Sequence, residues 1–372
     1  MKNFFFNWPI NDVTGWGNYG FNFFIHGNTD DDHIIPIIWP PNFIYPENPF
    51  SLRKFKEYEE KWKDGVEAKD NDYMLSYCGN YTDKQKITKK LIEIGVIFFE
   101  NYPISPNEKK KLAEFQLLIS GSSWNQNILN NNNIINKLII QGVDSSLFRW
   151  QPKKYLKDKF VVYSGGKLEY RKGQDILVKA FSIFAKNRKD ALLISNWRSP
   201  LEKEVALTVN KSGICKELVW SEDFGLEIEK WVHANDIDKH QFINLNYVGN
   251  QHMPEIYREV DLAVFPNRCE GGTNLVAMEA LACGINSVIS QNTGHLDIIL
   301  NKNCIPLTNQ SKINKENCQD WGESSIDELI SIMEDSYYGR NKILGSFVSD
   351  SIKHLTWEKT ISTLIKECRS IE

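Results

Sequence analysis

Two hydrophobic rhythms alternate along this chain. Short apolar runs, bounded by Gly, Pro, Asn or Asp, predict strands at 3–8, 33–39, 73–78, 96–99, 117–120 and 137–140, and again at 160–164, 191–195, 242–248, 262–265 and 286–290. Apolar residues at helical spacing predict helices over 52–63, 83–94, 107–114, 174–187, 226–235, 254–260, 326–335 and 357–368. Strands alternating with helices imply parallel sheets covered on both faces. The Asn run 130–133 reads as a loop, and the polar stretch 153–159 suits a linker. These breaks divide the chain into domains 1–150 and 151–372, with no internal repeat evident.

One stretch stands apart, CEGGTNLVAMEALACG at 269–284. The strand 262–265 leads through Pro266 and Asn267 into Glu270, Gly271 and Gly272. Thr273 or Asn274 can then cap a helix that begins at Leu275, and Gly284 ends it. Apolar residues surround that helix, and at 100° per residue its Glu279 falls between Leu275 and Cys283. A carboxylate in such a place needs a hydrogen-bonding partner. The helix start, beside glycines, suits a phosphate. A second stretch, GGKLEYRKGQD at 165–175, places Gly165, Gly166, Lys167, Lys172 and Gly173 after a strand. Cations on a loop at the carboxyl end of a parallel strand can neutralise a diphosphate.

Composition narrows the classes. The 372 residues are enough for two domains, and 41% hydrophobic with 25% charged content is that of a globular protein. A net charge of −4 leaves no nucleic-acid footprint. Seven cysteines without a CxxC pair favour reduced thiols and a cytoplasmic setting. No apolar run reaches the length of a membrane span, and the N-terminus lacks a signal-peptide cleavage pattern. Basic clusters at 84–90 and 109–111 could touch anionic lipid, but interspersed acids make a solvated helix face the preferred reading, with at most weak peripheral membrane contact.

The stretch 269–284 resembles the donor-site signature of retaining GT-B glycosyltransferases of family 4, in which a Glu and a glycine turn precede a second Glu followed by Ala-x-Ala-x-Gly. EALACG at 279–284 carries the likeness. The family usually has seven residues between its glutamates, whereas eight separate Glu270 from Glu279. Either the turn holds one extra residue or the role of Glu270 is altered. The piece 139–152, with Gly142, Val143 and Asp144, resembles the segment that leaves the family's N-terminal domain. The resemblance implies two doubly wound Rossmann-like α/β domains facing a cleft, with a last helix, about 357–368, crossing back to the first domain. It also implies transfer of a hexose from a nucleotide diphosphate sugar to a hydroxyl on a glycan or glycoconjugate, with retention. No metal or other cofactor is expected. Two alternatives stay open: a GT-B-like sugar-nucleotide epimerase and a catalytically silent sugar-nucleotide binding protein.

Carried onto this sequence, the family's roles fall as follows. Lys172 matches the usual lysine, and Lys167 stands where arginine is usual. With Glu270 they form the expected catalytic group on the donor side. Donor contacts are expected at Gly166, Gly271, Gly272, Thr273, Asn274, Leu275 and Glu279, and at Gly249 of Tyr247-Val248-Gly249, where backbone groups would meet the base. His295 reads as a solvated loop histidine. In the first domain, GWGNYG at 15–20 fits G-x-G-x-x-G, although little room for a helix remains before His26-Gly27. Its readings are a dinucleotide fingerprint, a glycine loop contributing Gly17 to the donor site, or a plain tight turn. The family's N-terminal-domain histidine is absent, since no histidine lies between His33 and His233. Glu100, after the strand at 96–99, could orient the acceptor or take its proton. Trp8, Trp16, Trp39 and Tyr45 crowd the same sheet end as core or as a sugar-stacking surface. Asp30-Asp31-Asp32 and Asp70-Asn71-Asp72 mimic the D-x-D metal motif of the other glycosyltransferase fold, but they precede strands and read as polar turns.

Overall fold

The computed structural model describes residues 2–11, 14–29, 31–37, 48–62, 64–80, 91–198, 203–223, 225–340 and 342–371. Trp39, Tyr45, Asp30, most of the helix expected at 83–94 and the basic cluster 84–90 lie outside the described residues. The chain forms two units, one of Met1–Asp144, Gly249–Gln251 and Leu355–Glu372, the other of Ser145–Val248 and His252–His354. They part at Asp144, not at 150.

The first unit is built on a six-stranded sheet of order β2-β1-β3-β4-β5-β6. Its strands are β1 Lys2–Phe6, β2 Asp32–Pro36, β3 Tyr73–Gly79, β4 Ile92–Phe98, β5 Leu117–Ser120 and β6 Asn136–Leu138, all pairing in parallel. Phe4, Phe6, Tyr73, Leu75, Ile94 and Val96 are fully buried, as parallel strands covered on both faces require. GWGNYG does not form a loop. Thr14 caps a 13-residue helix, Gly15–Gly27, and the glycines lie in its first turns. A Cβ on Gly17 would stand 2.0 Å from the Asn11 side chain, and one on Gly20 2.3 Å from the Pro9 carbonyl. Close packing of helix on strand exit therefore accounts for Gly17 and Gly20. The sequence pattern underestimated the helix because its glycines read as a loop and left little room before His26-Gly27. Asn130 and Asn131 likewise belong to a helix, Ser123–Asn131, capped by Ser122.

The C-terminal helix Trp357–Arg369 belongs to this first unit, as the crossing-back expectation requires. Thr360 Oγ1 donates to the Ile140 carbonyl at 2.9 Å, and Trp357 meets Tyr19 edge to face at 5.3 Å. A Cβ on Gly142 would lie 2.1 Å from the Trp357 nitrogen, so only glycine lets the helix start lie there.

The second unit has its own six-stranded parallel sheet of order β12-β11-β10-β7-β8-β9. Its strands are β7 Phe160–Lys167, β8 Ala191–Arg198, β9 Phe242–Asn244, β10 Leu262–Phe265, β11 Ser287–Ser290 and β12 Ile305–Leu307. From β7 the chain adds β8 and β9 on one side, then returns to place β10 on the other. The strand order thus reverses between β7 and β10. In doubly wound sheets, ligands bind outside the carboxyl ends at such a point. Residues 153–159 are not a loose linker. Glu259 accepts the N–H groups of Tyr155 and Leu156 at 2.7 and 2.8 Å, and Lys153 pairs with Asp261 at 2.5 Å.

Candidate functional site

Two loops leave the switch point, one after β7 and one after β10. After β7, Gly166 has φ +110° and Gly173 φ +68°, and between them Tyr170–Lys172 makes one 3₁₀ turn. A Cβ on Gly173 would sit 2.2 Å from the Pro266 carbonyl, so glycine lets this loop touch the exit of β10. Helix Gln174–Ala185 then begins. After β10, Asn274 adopts φ +66°, tolerable for Asn, and its Oδ1 accepts the Ala277 N–H at 3.4 Å. That cap starts the helix Leu275–Ala282, of which Ala277 to Ala282 are buried.

Glu270 lies at the centre. Its side chain is buried, one oxygen accepting from Lys172 Nζ and Asn267 Nδ2, the other from Arg171 Nη1 at 2.9 Å. Burial alone would raise this carboxyl, but the Lys172 and Arg171 charges outweigh it and hold the group down to about 2. Arg171 also pairs with Glu169 at 2.5 Å. Sequence reasoning missed Arg171; its place beside Lys172 in a loop of cations was the available signal.

Arg268 was missed as well. It is fully buried, its guanidinium bidentate on Asp175 at 2.8 and 2.7 Å. Nη1 also donates to the Tyr170 carbonyl at 2.7 Å, Nε donates to Glu323 at 2.8 Å, and the guanidinium lies over the Tyr170 ring at 4.1 Å. Burial works against its charge, and the Asp175 hydrogen bonds more than restore it. One side chain thereby ties the Lys172 loop to the following helix and to the hairpin strand Gly322–Ser324.

His295 is not solvated but wholly buried. Asn274 Nδ2 lies 3.1 Å from its Nε2, and Nδ1 faces the Ser290 carbonyl at 3.2 Å and hydroxyl at 2.9 Å. Since Asn274 Nδ2 can only donate, Nε2 accepts and Nδ1 carries the proton, which leaves the ring neutral. Burial pushes its pKa down to about 4, with Glu270 opposing and Lys172 assisting. The folded state therefore resists a proton that the unfolded chain takes up near 6.5. The stabilisation is complete above pH 6.5 and drains away as pH falls toward 4. Between pH 7 and pH 5 wild type should lose about 2 kcal/mol that a His295→Gln variant does not lose, read from urea midpoints. Glu270 acts in a lower window, from about 4.5 down to about 2, and does not blur this comparison.

The remaining predicted residues divide. Lys167 ends β7, exposed, in register with Arg198 of β8. Gly271, Gly272 and Thr273 are buried in the turn, and Leu275 opens the helix partly exposed. Glu279 is buried, and Tyr257 OH donates to it at 3.3 Å, supplying the partner its position demands. Gly249 falls in the first unit, and β9 ends at Asn244, so Tyr247 and Val248 lie beyond the strand. Gly17 gives its N–H to Thr14 Oγ1 at 2.9 Å within its helix. Glu100 follows β4, half-buried, its N–H held by Asn80 Oδ1 at 2.8 Å. Trp8 is core, stacked on Phe23, while Trp16 packs edge to face with Phe98 and Tyr77. Asp32 and Asp72 sit at strand starts; Asp32 pairs with Arg369 at 2.6 Å, and Asp72 accepts from Asn3 at 3.1 and 2.9 Å.

Comparison with known structures places this architecture. Sucrose-phosphate synthase from Thermosynechococcus elongatus superposes with a TM-score of 0.64 at 15% identity, covering 100% of this chain and 99% of that one. Anabaena HepE in complex with UDP and glucose gives 0.63 at 13% identity, covering 100% and 99%. The fold is GT-B. Within this GT-B chain, residues 222–323 match the family model described as glycosyl transferases group 1. The match takes in the turn 270–274 and the helix Leu275–Ala282 but not the Lys172 loop. Mannosylfructose-phosphate synthase of Agrobacterium fabrum (strain C58 / ATCC 33970) is 31% identical over 135 residues, 36% of this chain. That alignment spans only 26% of the relative's own length.

Proposed function

We propose that the protein transfers a hexose from a nucleoside diphosphate sugar to a hydroxyl of a glycan or glycoconjugate, with retention at the anomeric carbon. The observation that carries this reading is the buried Glu270 gathering Lys172 and Arg171 at the switch point, beside the start of a helix. In the reaction the bond from the anomeric carbon to the diphosphate breaks, and a bond to the acceptor oxygen forms. The acceptor proton leaves with the diphosphate or to a base. Lys172 and Lys167 would balance the charge that grows on the leaving diphosphate, and the helix start would add a partial charge of roughly +0.5. Glu279 would accept a ribose hydroxyl. On the acceptor side Glu100 would orient the hydroxyl or take its proton. The related synthases and the UDP complex of HepE support the donor class.

The test is to incubate purified protein with several nucleotide sugars and to follow nucleoside diphosphate release with and without candidate acceptors. Acceptor-dependent release supports transfer. Release without acceptor points to the epimerase or hydrolase outcome, and binding without release to a silent binder. Turnover should also survive excess EDTA. Asp32 and Asp72 pair with Arg369 and Asn3 at strand starts, which supports a charge balance carried by lysine. Loss of activity in EDTA, restored by Mn²⁺, would refute the lysine-based balance.

A further inference from the structure

Beneath the strand end that carries Gly165 lie two buried phenols. Tyr163, on β7, and Tyr257 are both buried to within 1% of full enclosure. Their rings meet edge to face with centroids 5.2 Å apart, so the two phenols pack directly against one another. Tyr257 OH donates to Glu279 Oε2 at 3.3 Å. At the other end Tyr163 OH lies 2.8 Å from Asn196 Oδ1, on β8. Two packed phenols, one on β7 and one at the end of the helix Met253–Tyr257, thus stand between Asn196 of β8 and one carboxylate on the helix Leu275–Ala282.

Gly165 shows how closely this pair underlies the site. A Cβ there would stand 2.4 Å from both Tyr163 OH and Asn196 Oδ1, and 2.9 Å from Val276. Contacts that short do not occur between real atoms, so a side chain at 165 would displace the Tyr163 hydroxyl or the loop above it. Hydroxyls buried this deeply also stay protonated, since burial pushes both phenols well upward. They can therefore donate at any ordinary pH.

We infer that Tyr257, supported by Tyr163, is a positioning residue that aims the Glu279 carboxylate at the nucleotide. This rests on the donor reading above. A buried carboxylate with its hydroxyl donor removed would turn toward another partner and present its oxygens elsewhere. The nucleotide would feel that change, whereas the Lys172 loop would not.

The measurement is calorimetric titration of the full chain with UDP, ADP and GDP. Tyr257→Phe removes one oxygen and keeps the packed ring. For whichever nucleotide wild type binds, the variant should weaken affinity about fivefold to tenfold. Tyr163→Phe should weaken it less. With Glu279→Gln already present, adding Tyr257→Phe should change affinity by less than about twofold, because the hydroxyl acts through the carboxylate. In turnover the variant should raise KM for the donor and leave kcat near wild type. Unchanged affinity in both phenylalanine variants, or full additivity in the double variant, would overturn the inference while leaving the donor site intact. A wild type that binds none of the three nucleotides would overturn the donor reading and the inference together.

Discussion

Replacing Lys172 by alanine should lower kcat about a hundredfold to a thousandfold, the range seen when one preorganised donor to developing negative charge is removed. The side chain is only 14% exposed, and its ammonium is held against Glu270. A cation in that position gains strength as the diphosphate acquires charge, so its removal falls on the transition state more than on the bound donor. Arg171 still pairs with Glu270 at 2.9 Å, so the carboxylate keeps a partner and the fold should survive. Lys172→Arg keeps the charge and should retain more turnover than alanine, though a planar fork does not reproduce a compact ammonium. The check is kcat at saturating donor for the three proteins. Equal kcat in wild type and Lys172→Ala would remove this lysine from the chemistry.

Arg268→Met should cost the largest stability, about 3–5 kcal/mol, because it strands Asp175 as a buried, unpaired carboxylate. Both side chains are fully enclosed, with 0% exposure on either. Urea unfolding of the single variant should show that loss. The double variant Arg268→Met with Asp175→Leu should recover most of it, since an apolar pair can replace a buried ion pair at little cost. Recovered stability should not bring back turnover, however. Arg268 also holds the Tyr170 carbonyl at 2.7 Å and Glu323 at 2.8 Å through its guanidinium, contacts that methionine cannot make. Full activity in the stable double variant would show that Arg268 supports folding alone.

The sheets were legible because buried parallel strands leave short apolar runs bounded by turn residues. The strand Leu262–Phe265 and the helix start at Gln174 fall where the sequence pattern places them. The helix Gly15–Gly27 was obscured by its glycines, of which Gly17 and Gly20 serve packing against Asn11 and Pro9, a cause invisible in sequence. At the candidate site, Glu270, Lys172 and Glu279 stood out in the sequence because each is a charge framed by glycines or apolar residues. Arg268 and His295 could not, since an Arg beside a turn and a His in a loop are ordinarily solvated. Only the three-dimensional meeting of Arg268 with Asp175, and of His295 with Ser290 and Asn274, withdraws them from water. Tyr257 was hidden for the same reason: its partner Glu279 lies 22 positions away along the chain.

The turn between the two glutamates has a counterpart across the loop. Gly294 donates its N–H to the Glu270 carbonyl at 3.0 Å, and a Cβ on it would fall 1.8 Å from the Gly272 carbonyl. The backbone of this turn therefore occupies the space that a side chain at 294 would fill. Among homologous sequences the turn length and this glycine should be gained and lost together: chains with eight residues between the glutamates should keep glycine at the position of Gly294, and chains with seven should be free to vary there.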